Sequence, residues 1–123
     1  MTTPALPDRI YHLALIDRWD ACVQAGGPYA WSTVDATLDE EGFIHASCPH
    51  QLAGVADRYY RGRDVVLLVI DVHAVPVIVR MDPVGDDAYP HVYGALPLSA
   101  IVEVHPVARD GDGHDISGVL ALL

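Results

Sequence analysis

The sequence predicts an α+β fold, with a mostly antiparallel, curved or split β-sheet and two main helices. The predicted elements follow the order β-α-β-α-β-β-loop-β, which lacks the regular strand and helix alternation of a doubly wound parallel sheet. The chain also contains neither a GxGxxG nor a P-loop pattern, the phosphate-binding signatures of such sheets. These observations favour a small domain whose strands pair mainly with antiparallel neighbours.

The length and composition predict one globular domain over residues 1–123. Hydrophobic residues make up 51% of the chain, so a packed core can offset the conformational entropy that is lost on folding. The longest aliphatic run covers residues 65–70, far short of the ~20 residues that cross a bilayer. The N-terminal residues lack the basic start and apolar stretch of a signal peptide. We therefore expect a cytoplasmic protein with no membrane partner.

The net charge of −10 predicts that the protein does not bind nucleic acid, because a phosphate-tracking surface would form against a repulsive overall field. A small anionic ligand needs only one or two well-placed donors. Five of the seven arginines are available for such contacts: Arg9, Arg58, Arg61, Arg63 and Arg80. Cys22 and Cys48 lack the spacing of a metal-binding pair, so we expect free thiols.

The N-terminal elements follow from hydrophobic runs and capping signals. Residues 9–15 predict a short buried strand with His12 near its centre. Asp17 is a typical N-cap residue and predicts a helix over residues 18–24, which the following Gly-Gly-Pro ends. Residues 29–32 predict a short extended piece.

The central elements begin with a polar segment, residues 37–41, which predicts a turn. Residues 42–46 then predict the second strand. Pro49 predicts the first position of a second helix, where its missing N–H does no harm, and the helix continues through Tyr59 until Gly62 ends it.

The C-terminal half is predicted to contain mostly strands. Residues 65–72 and 75–80 are β-branched runs that predict an antiparallel pair joined by a tight corner. Residues 81–90 predict an acidic loop, and residues 98–107 predict the last strand. A Gly/Asp-rich loop follows over residues 109–115.

Two compact clusters predict a functional site. Residues 41–47 place His45 beside large hydrophobic residues and a hydroxyl, in a run that would otherwise form an ordinary core strand. Ser47 lies on the same side of such a strand as His45, because side chains alternate with a period of two. These two residues form a candidate ligand-binding pair.

The second cluster covers residues 89–94 and combines a rigid proline, a titratable ring, two phenols and a glycine. His91 in this cluster suits a loop that closes over a ligand. Tyr93 or Tyr89 would then supply a stacking surface.

A wider set of residues gives the chain a family resemblance. In chain order the set is Tyr11-His12, Trp19, Glu41-Gly42-Phe43-Ile44-His45 with Ser47, Gln51, and Pro90-His91 with Tyr93-Gly94. This pattern resembles the domain of unknown function 952 family, whose fold is similar to that of the ADP-ribosyltransferases. In those enzymes two short sheets form a cleft that holds NAD.

The resemblance implies roles for individual residues. His12 matches a histidine of the first strand that hydrogen-bonds a ribose hydroxyl, and His45 matches a ring that packs beside the nicotinamide. Many ADP-ribosyltransferases also place a glutamate on a later strand. In this chain the corresponding region offers only Glu103 as a strand carboxylate.

We therefore predict a nucleotide cleft that takes NAD as a substrate, or ADP-ribose, and an ADP-ribosyltransferase-like activity. The predicted catalytic residues are His12, His45 and His91, with no metal. The predicted nucleotide-binding residues are His12, His45, Ser47, Tyr93 and Arg80, where Arg80 or Arg9 neutralises a pyrophosphate. Such transfer mainly requires that the ribose and the departing ring are held in place.

Other interpretations of the same residues stay open. A single histidine on an apolar strand is usually a core residue whose nitrogens bond to the backbone, and Ser47 or Cys48 suits the N-cap of the second helix. The protein as a whole could be a non-catalytic module that binds a nucleotide or ADP-ribose. It could also be a metal enzyme with a three-histidine site formed by His12, His45 and His91. No pattern in the sequence indicates an oligomeric state.

Overall fold

The computed structural model describes residues 4–123, which form an α+β structure built mainly from antiparallel strands. The strands are β1 (Arg9–Leu15), β2 (Trp31–Thr33), β3 (Ala36–Thr37), β4 (Ile44–His45), β5 (Val65–Asp71), β6 (Val79–Val84), β7 (Asp87–Val92), β8 (Ile101–Pro106), β9 (Arg109–Asp110) and β10 (Gly113–His114). The helices are α1 (Ile16–Ala25), α2 (Leu38–Glu41), α3 (Leu52–Tyr59) and α4 (Ile116–Leu120). Short 3₁₀ turns cover Pro49–Gln51, Val72–Ala74 and Leu98–Ala100.

Two sheets form the framework of the fold. In the first sheet β5 lies between β1 and β8, and in the second β7 lies between β4 and β6. The sheets meet at one backbone pair: the N–H of Tyr11 donates to the carbonyl of Ser47 at 3.0 Å, and the N–H of Ser47 donates to the carbonyl of Tyr11 at 2.7 Å. The result is a split sheet, as the sequence predicted, with β1 and β4 on the two sides of the split.

The central strand β5 is apolar from Val65 to Ile70 because both of its faces are covered. One face packs with α3 and α4, where Leu67 lies in a cluster with Leu52 and Val119. The other face packs toward the second sheet, where Leu68 lies in a cluster with Ile44 and Val92. Burial of these side chains is the main contribution to stability that we identify in the fold.

The first helix begins earlier than predicted, and Asp17 is not its N-cap. Leu15 occupies that position, because β1 leads directly into α1 and the N–H of Ile16 donates to the carbonyl of Asp64 at 3.1 Å. Asp17 lies in the first turn, where a carboxylate is favourable near the positive end of the helix dipole. Gly26, with φ of 81°, ends the helix as expected.

Residues 37–41, predicted as a turn, instead contain the short helix α2. Thr37 and Glu40 form a capping box: the Thr37 Oγ1 accepts from the N–H of Glu40 at 3.2 Å, and the Glu40 carboxylate accepts from the N–H of Thr37 at 3.0 Å. Gly42, with φ of 87°, ends this helix, so the second strand is confined to Ile44–His45.

The prediction that residues 65–72 pair with residues 75–80 is wrong. β5 pairs with β1 and β8, and the chain turns away after Val72–Ala74 to enter the second sheet. Residues 81–90 are also not a loop. They belong to a hairpin in which β6 pairs with β7 around Gly85, whose φ is 61°.

The remaining elements agree with the sequence more closely. The structure contains the predicted strand over residues 9–15, the helix after Pro49 and the last long strand. A 3₁₀ turn precedes that helix, and another precedes the last long strand. The extended piece predicted at 29–32 is β2, shifted to Trp31–Thr33, and the loop at 109–115 contains the small β9–β10 hairpin. Cys22 and Cys48 are free thiols. None of the helices in the described part of the chain has the length and apolar character needed to span a bilayer.

The structure predicts a large stability difference between two aliphatic positions. Leu68 in β5 is fully buried, so we expect Leu68→Ala to lower the free energy of unfolding by about 2–5 kcal/mol. Val102 in β8 is 43% exposed, and we expect Val102→Ala to cost less than about 1 kcal/mol. Urea unfolding followed by tryptophan fluorescence measures both. Equal losses for the two variants would contradict the assignment of β5 as the central buried strand.

Candidate functional site

A cavity of about 190 Å³ lies where the two sheets split, between α3 and the β6–β7 hairpin. The lining combines imidazoles, phenols, a guanidinium, a carboxylate and hydroxyls with aliphatic groups. Its residues are His12, Leu13, Thr33, Glu41, His45, Ala46, Ser47, Val55, Arg58, Tyr59, Tyr60, Val84, Tyr89 and His91. The three histidines singled out in the sequence therefore line one cavity.

Sheet register explains why His45 and His91 meet. They are directly paired residues of β4 and β7, so their side chains project from the same face of the second sheet. Their ring centroids lie 5.0 Å apart at an interplanar angle of 89°. His45 is exposed, whereas His91 is only 4% exposed. Partial burial and the neighbouring His91 lower the pKa of His45, so its ring is neutral near pH 7.

Phe43 fixes both rings, a contact that our sequence analysis missed. Its ring stacks on His91 with centroids 4.2 Å apart and meets His45 edge-on at 4.9 Å. The two-residue offset from His45 was visible in the sequence, since residues 43, 45 and 47 share one side of a strand. Phe43 is therefore a supporting residue of the site.

His12 has a structural role. Its Nδ1–H donates to the backbone carbonyl of His45 at 2.5 Å, because a carbonyl can only accept. Nε2 then accepts from the Tyr29 hydroxyl at 2.8 Å. Burial lowers the pKa of His12 to about 4, so the ring is neutral at pH 7. Since both nitrogens are occupied, the predicted hydrogen bond from His12 to a ribose hydroxyl is not available in this arrangement.

His91 is held by a carboxylate that the sequence analysis placed in a loop. Its Nδ1 lies 2.8 Å from Oδ2 of Asp82, and the Tyr93 hydroxyl donates to the same oxygen. The hydrogen bond from Tyr93, followed by that from His91, lowers the pKa of Asp82 and keeps it ionised. Nε2 of His91 is buried and has no hydrogen-bond partner among residues 4–123.

Tyr93 and Arg80 are not among the cavity-lining residues. The Arg80 guanidinium lies 5.3 Å from the centroid of the Tyr93 ring, and Tyr93 holds Asp82. Both residues therefore support the His91 side of the site from outside the cavity. The arginine that does line the cavity is Arg58 of α3, which makes no ion pair with any residue from 4 to 123.

Ser47 does not cap the second helix. Cys48 occupies the N-cap position, and its N–H donates to Oε1 of Gln51 at 2.8 Å. Gln51 is a buried brace, because its amide nitrogen donates to Asp87 Oδ2 at 2.9 Å and to the Ala88 carbonyl at 2.7 Å. Ser47 is 4% exposed and lines the cavity, so its hydroxyl remains available to a ligand.

Of the two glutamates considered for the site, Glu41 lines the cavity and Glu103 does not. Glu103 lies on β8, where it accepts from Arg9 at 2.6 Å and pairs with His105 at 3.0 Å, and it does not line the cavity. Arg9 is thereby used in an ion pair on the first sheet. Glu41, the last residue of α2, is the carboxylate among the lining residues.

The structure does not form the three-histidine metal site. No group of three or more potential His, Cys, Asp or Glu ligands is assembled within residues 4–123. His12 has both nitrogens in hydrogen bonds to Tyr29 and to the backbone, which leaves none for a metal. This alternative from the sequence is therefore wrong.

Comparisons with known proteins identify relatives of the same fold. A family model described as a protein of unknown function, DUF952, matches residues 15–104 of this chain. The crystal structure of protein CC0527 from Caulobacter crescentus is 25% identical in sequence, covers 92% of this chain and 98% of its own, and superposes with a TM-score of 0.77. The solution NMR structure of CC0527 covers 95% and 100% of the two chains with a TM-score of 0.69. No match to a curated protein was found.

The hydrogen bond between Tyr29 and His12 predicts a specific loss of stability. In Tyr29→Phe the buried Nε2 of His12 loses its donor, so we expect the free energy of unfolding to fall by about 1–3 kcal/mol. Tyr59, which is 50% exposed, provides the control, and Tyr59→Phe should cost less than about 0.5 kcal/mol. Urea unfolding compares the two. A Tyr29→Phe variant as stable as the control would contradict the proposed donor role.

His12 also predicts a pH dependence of stability. Its pKa is about 4 in the folded protein and 6.5 in the reference state, so the unfolded chain takes up a proton first as the pH falls. Stability is complete above pH 6.5 and is lost progressively between pH 6.5 and 4, by about 3 kcal/mol in total. We expect His12→Gln to lose less stability over this range than the wild type, as measured by urea unfolding at several pH values. Parallel pH profiles for the two proteins would show that His12 does not titrate in this way.

Proposed function

The chain belongs to the DUF952 family of proteins of unknown function, and from that premise we propose that its cavity binds the phosphorylated ribose of a nucleotide such as NAD or ADP-ribose. The observation that supports this most directly is the convergence of His45, Ser47 and His91 on one cavity that also contains an arginine without an ion pair. Such a set offers contacts to hydroxyls, to a flat ring and to an anion.

The size of the cavity restricts what enters it. An engineered apolar cavity of about 150 Å³ holds one benzene molecule, and this one has about 190 Å³. One ring of a nucleotide, a ribose or a nicotinamide, therefore fits, while the rest of a dinucleotide would lie outside. Tyr59, Tyr60 and Tyr89 in the lining suit a flat ring, which binds by stacking.

Arg58 supports a phosphate outside the ring. Its guanidinium has two parallel N–H groups that match the oxygens of a phosphate, and no carboxylate among residues 4–123 neutralises it. Arg58 is exposed at the cavity and makes no ion pair within residues 4–123, so its charge is available to an anion, with Glu41 as the carboxylate of the same lining. It replaces Arg80, the arginine suggested by the sequence, in the proposed phosphate contact.

The split sheet supports the resemblance to the ADP-ribosyltransferases, in which two short sheets flank the NAD cleft. In such a reaction an acceptor nucleophile displaces nicotinamide from the ribose carbon, and positive charge develops on the ribose in the transition state. Both Glu41 and His45 line the cavity, and in the proposed reaction Glu41 stabilises this charge while His45 packs beside the departing ring. We propose this transfer as the activity of the cavity.

A non-catalytic module that binds ADP-ribose is the second candidate, and one observation favours it. His12, the expected ribose contact of a transferase, is fully used in bonds to Tyr29 and to the backbone. The two candidates differ in their ligand preference and products. A transferase should bind NAD and release nicotinamide, whereas a module should prefer ADP-ribose and release nothing.

Titration with NAD and ADP-ribose tests the proposal. At a ligand concentration 100 times Kd, binding should raise the free energy of unfolding by about 2.7 kcal/mol, which a thermal shift detects. We expect Arg58→Gln to weaken binding about tenfold through loss of a charge-assisted contact. Arg61→Gln is the matched control, because Arg61 is exposed nearby and pairs with Asp57 at 2.6 Å.

The outcomes separate the candidates. Nicotinamide released from NAD, measured by chromatography, identifies a transferase, and its absence with tight ADP-ribose binding identifies a module. No stabilisation by either nucleotide, or equal effects of the two arginine variants, would contradict the proposed nucleotide site.

A further inference from the structure

We propose that Asp82 holds a proton on Nδ1 of His91, so that Nε2 of the neutral ring is left as an unprotonated acceptor beside the cavity for a ligand hydroxyl. This inference rests on the proposed function, because it takes the cavity as the ligand site. It adds the chemical group that is recognised at His91 and identifies Asp82 as the positioning residue.

The tautomer follows from the partners of Nδ1. An ionised carboxylate only accepts hydrogen bonds, so the atom 2.8 Å from Asp82 Oδ2 must be a protonated Nδ1. Tyr93 donates to the same oxygen, which favours the ionised form of Asp82 and lowers its pKa. In a neutral imidazole the other nitrogen, Nε2, then carries a lone pair and no proton.

The surroundings hold this ring in one orientation. Phe43 stacks on its face at 4.2 Å, His45 contacts it edge-on at 5.0 Å, and Asp82 fixes one nitrogen. Nε2 is buried without a partner among the described residues, although the ring lines the cavity. A buried acceptor without a donor is costly, so a ligand that supplies a donor gains this energy on binding.

The identity of the donor follows from its chemistry. A phosphate or carboxylate oxygen would place a lone pair against the lone pair of Nε2, whereas a hydroxyl donates into it. Two polar groups of the lining therefore differ: Arg58 suits an anionic group and His91 suits a hydroxyl. A phosphorylated sugar carries both groups, which distinguishes it from a simple anion.

The first experiment determines the tautomer without any ligand. Nitrogen-15 NMR of the imidazole side chains in the intact protein distinguishes a proton on Nδ1 from a proton on Nε2. We expect neutral His91 to carry its proton on Nδ1 in the wild type. In Asp82→Asn the new amide can donate to Nδ1, so we expect a shift toward the Nε2–H tautomer. Asp8→Asn is the control, because Asp8 pairs with the exposed His73 at 2.8 Å and should leave His91 unchanged.

The second experiment compares AMP with 2′,3′-dideoxy-AMP by calorimetry. Loss of the ribose hydroxyls should weaken binding about tenfold, the effect of one hydrogen bond. We expect Asp82→Asn to reduce this discrimination and Asp8→Asn to retain it. If Asp82→Asn does not fold, Tyr93→Phe, which removes only the second donor to Asp82, replaces it and should reduce the discrimination to a smaller extent.

The results distinguish a failure of this inference from a failure of the proposed function. A proton on Nε2 of neutral His91 in the wild type, or equal affinity for the two nucleotides, overturns the inference and leaves nucleotide binding intact. No binding of AMP, ADP-ribose or NAD, with His91 as the Nδ1–H tautomer, overturns the proposed function, and the assignment of a hydroxyl falls with it.

Discussion

The backbone pair between Tyr11 and Ser47 is the contact on which the rest of the site depends. It joins two sheets that otherwise diverge, at the edge of β1 and just after β4. The hydrogen bond from His12 to the carbonyl of His45 closes the same junction from the side of the first sheet. Because β4 is only two residues long, these contacts determine where His45 lies and, through strand pairing, where His91 meets it.

The three histidines of the cavity differ in burial and in hydrogen-bond partners. His12 is buried between two hydrogen-bond partners and is a neutral part of the framework. His45 is exposed and neutral, and its ring contacts those of Phe43 and His91. His91 is buried like His12 but has one nitrogen bonded and one without a partner among the described residues. In the proposed site, His45 is therefore the exposed ring and His91 the buried one, while His12 supports them through its bond to the backbone of residue 45.

The sequence predicted the α+β class and the first strand, because these depend on local runs, whereas the shared site of the distant histidines was expected from the family resemblance. It did not predict α2, although the capping box of Thr37 and Glu40 is a local signal that outweighs the polar character of the segment. The hairpin over 79–92 was missed because acidic residues and Pro83 are typical of loops, whereas an edge strand such as β6 tolerates a proline. The role of Asp82, which lies in this hairpin, was therefore not predicted either.

The sequence alone could not show whether Arg80 or Arg58 lines the cavity. Arg80 lies close to His91 by strand pairing, yet its guanidinium rests over Tyr93, while Arg58 reaches the cavity from a helix that is distant in sequence. Only the packing of α3 against the split sheet decides between them. The same holds for His12, where the residue type suggested a ligand contact and the partners Tyr29 and His45 give it a structural role.

The backbone carbonyl and the side chain of His45 have separate roles. The framework requires only its carbonyl, which every amino acid provides, whereas its side chain projects into the cavity and touches Phe43 and His91. A substitution at this position would therefore change the side chain at the cavity while the carbonyl that anchors His12 stays in place. The chemistry of the cavity and the architecture of the split sheet are thereby separable at one residue.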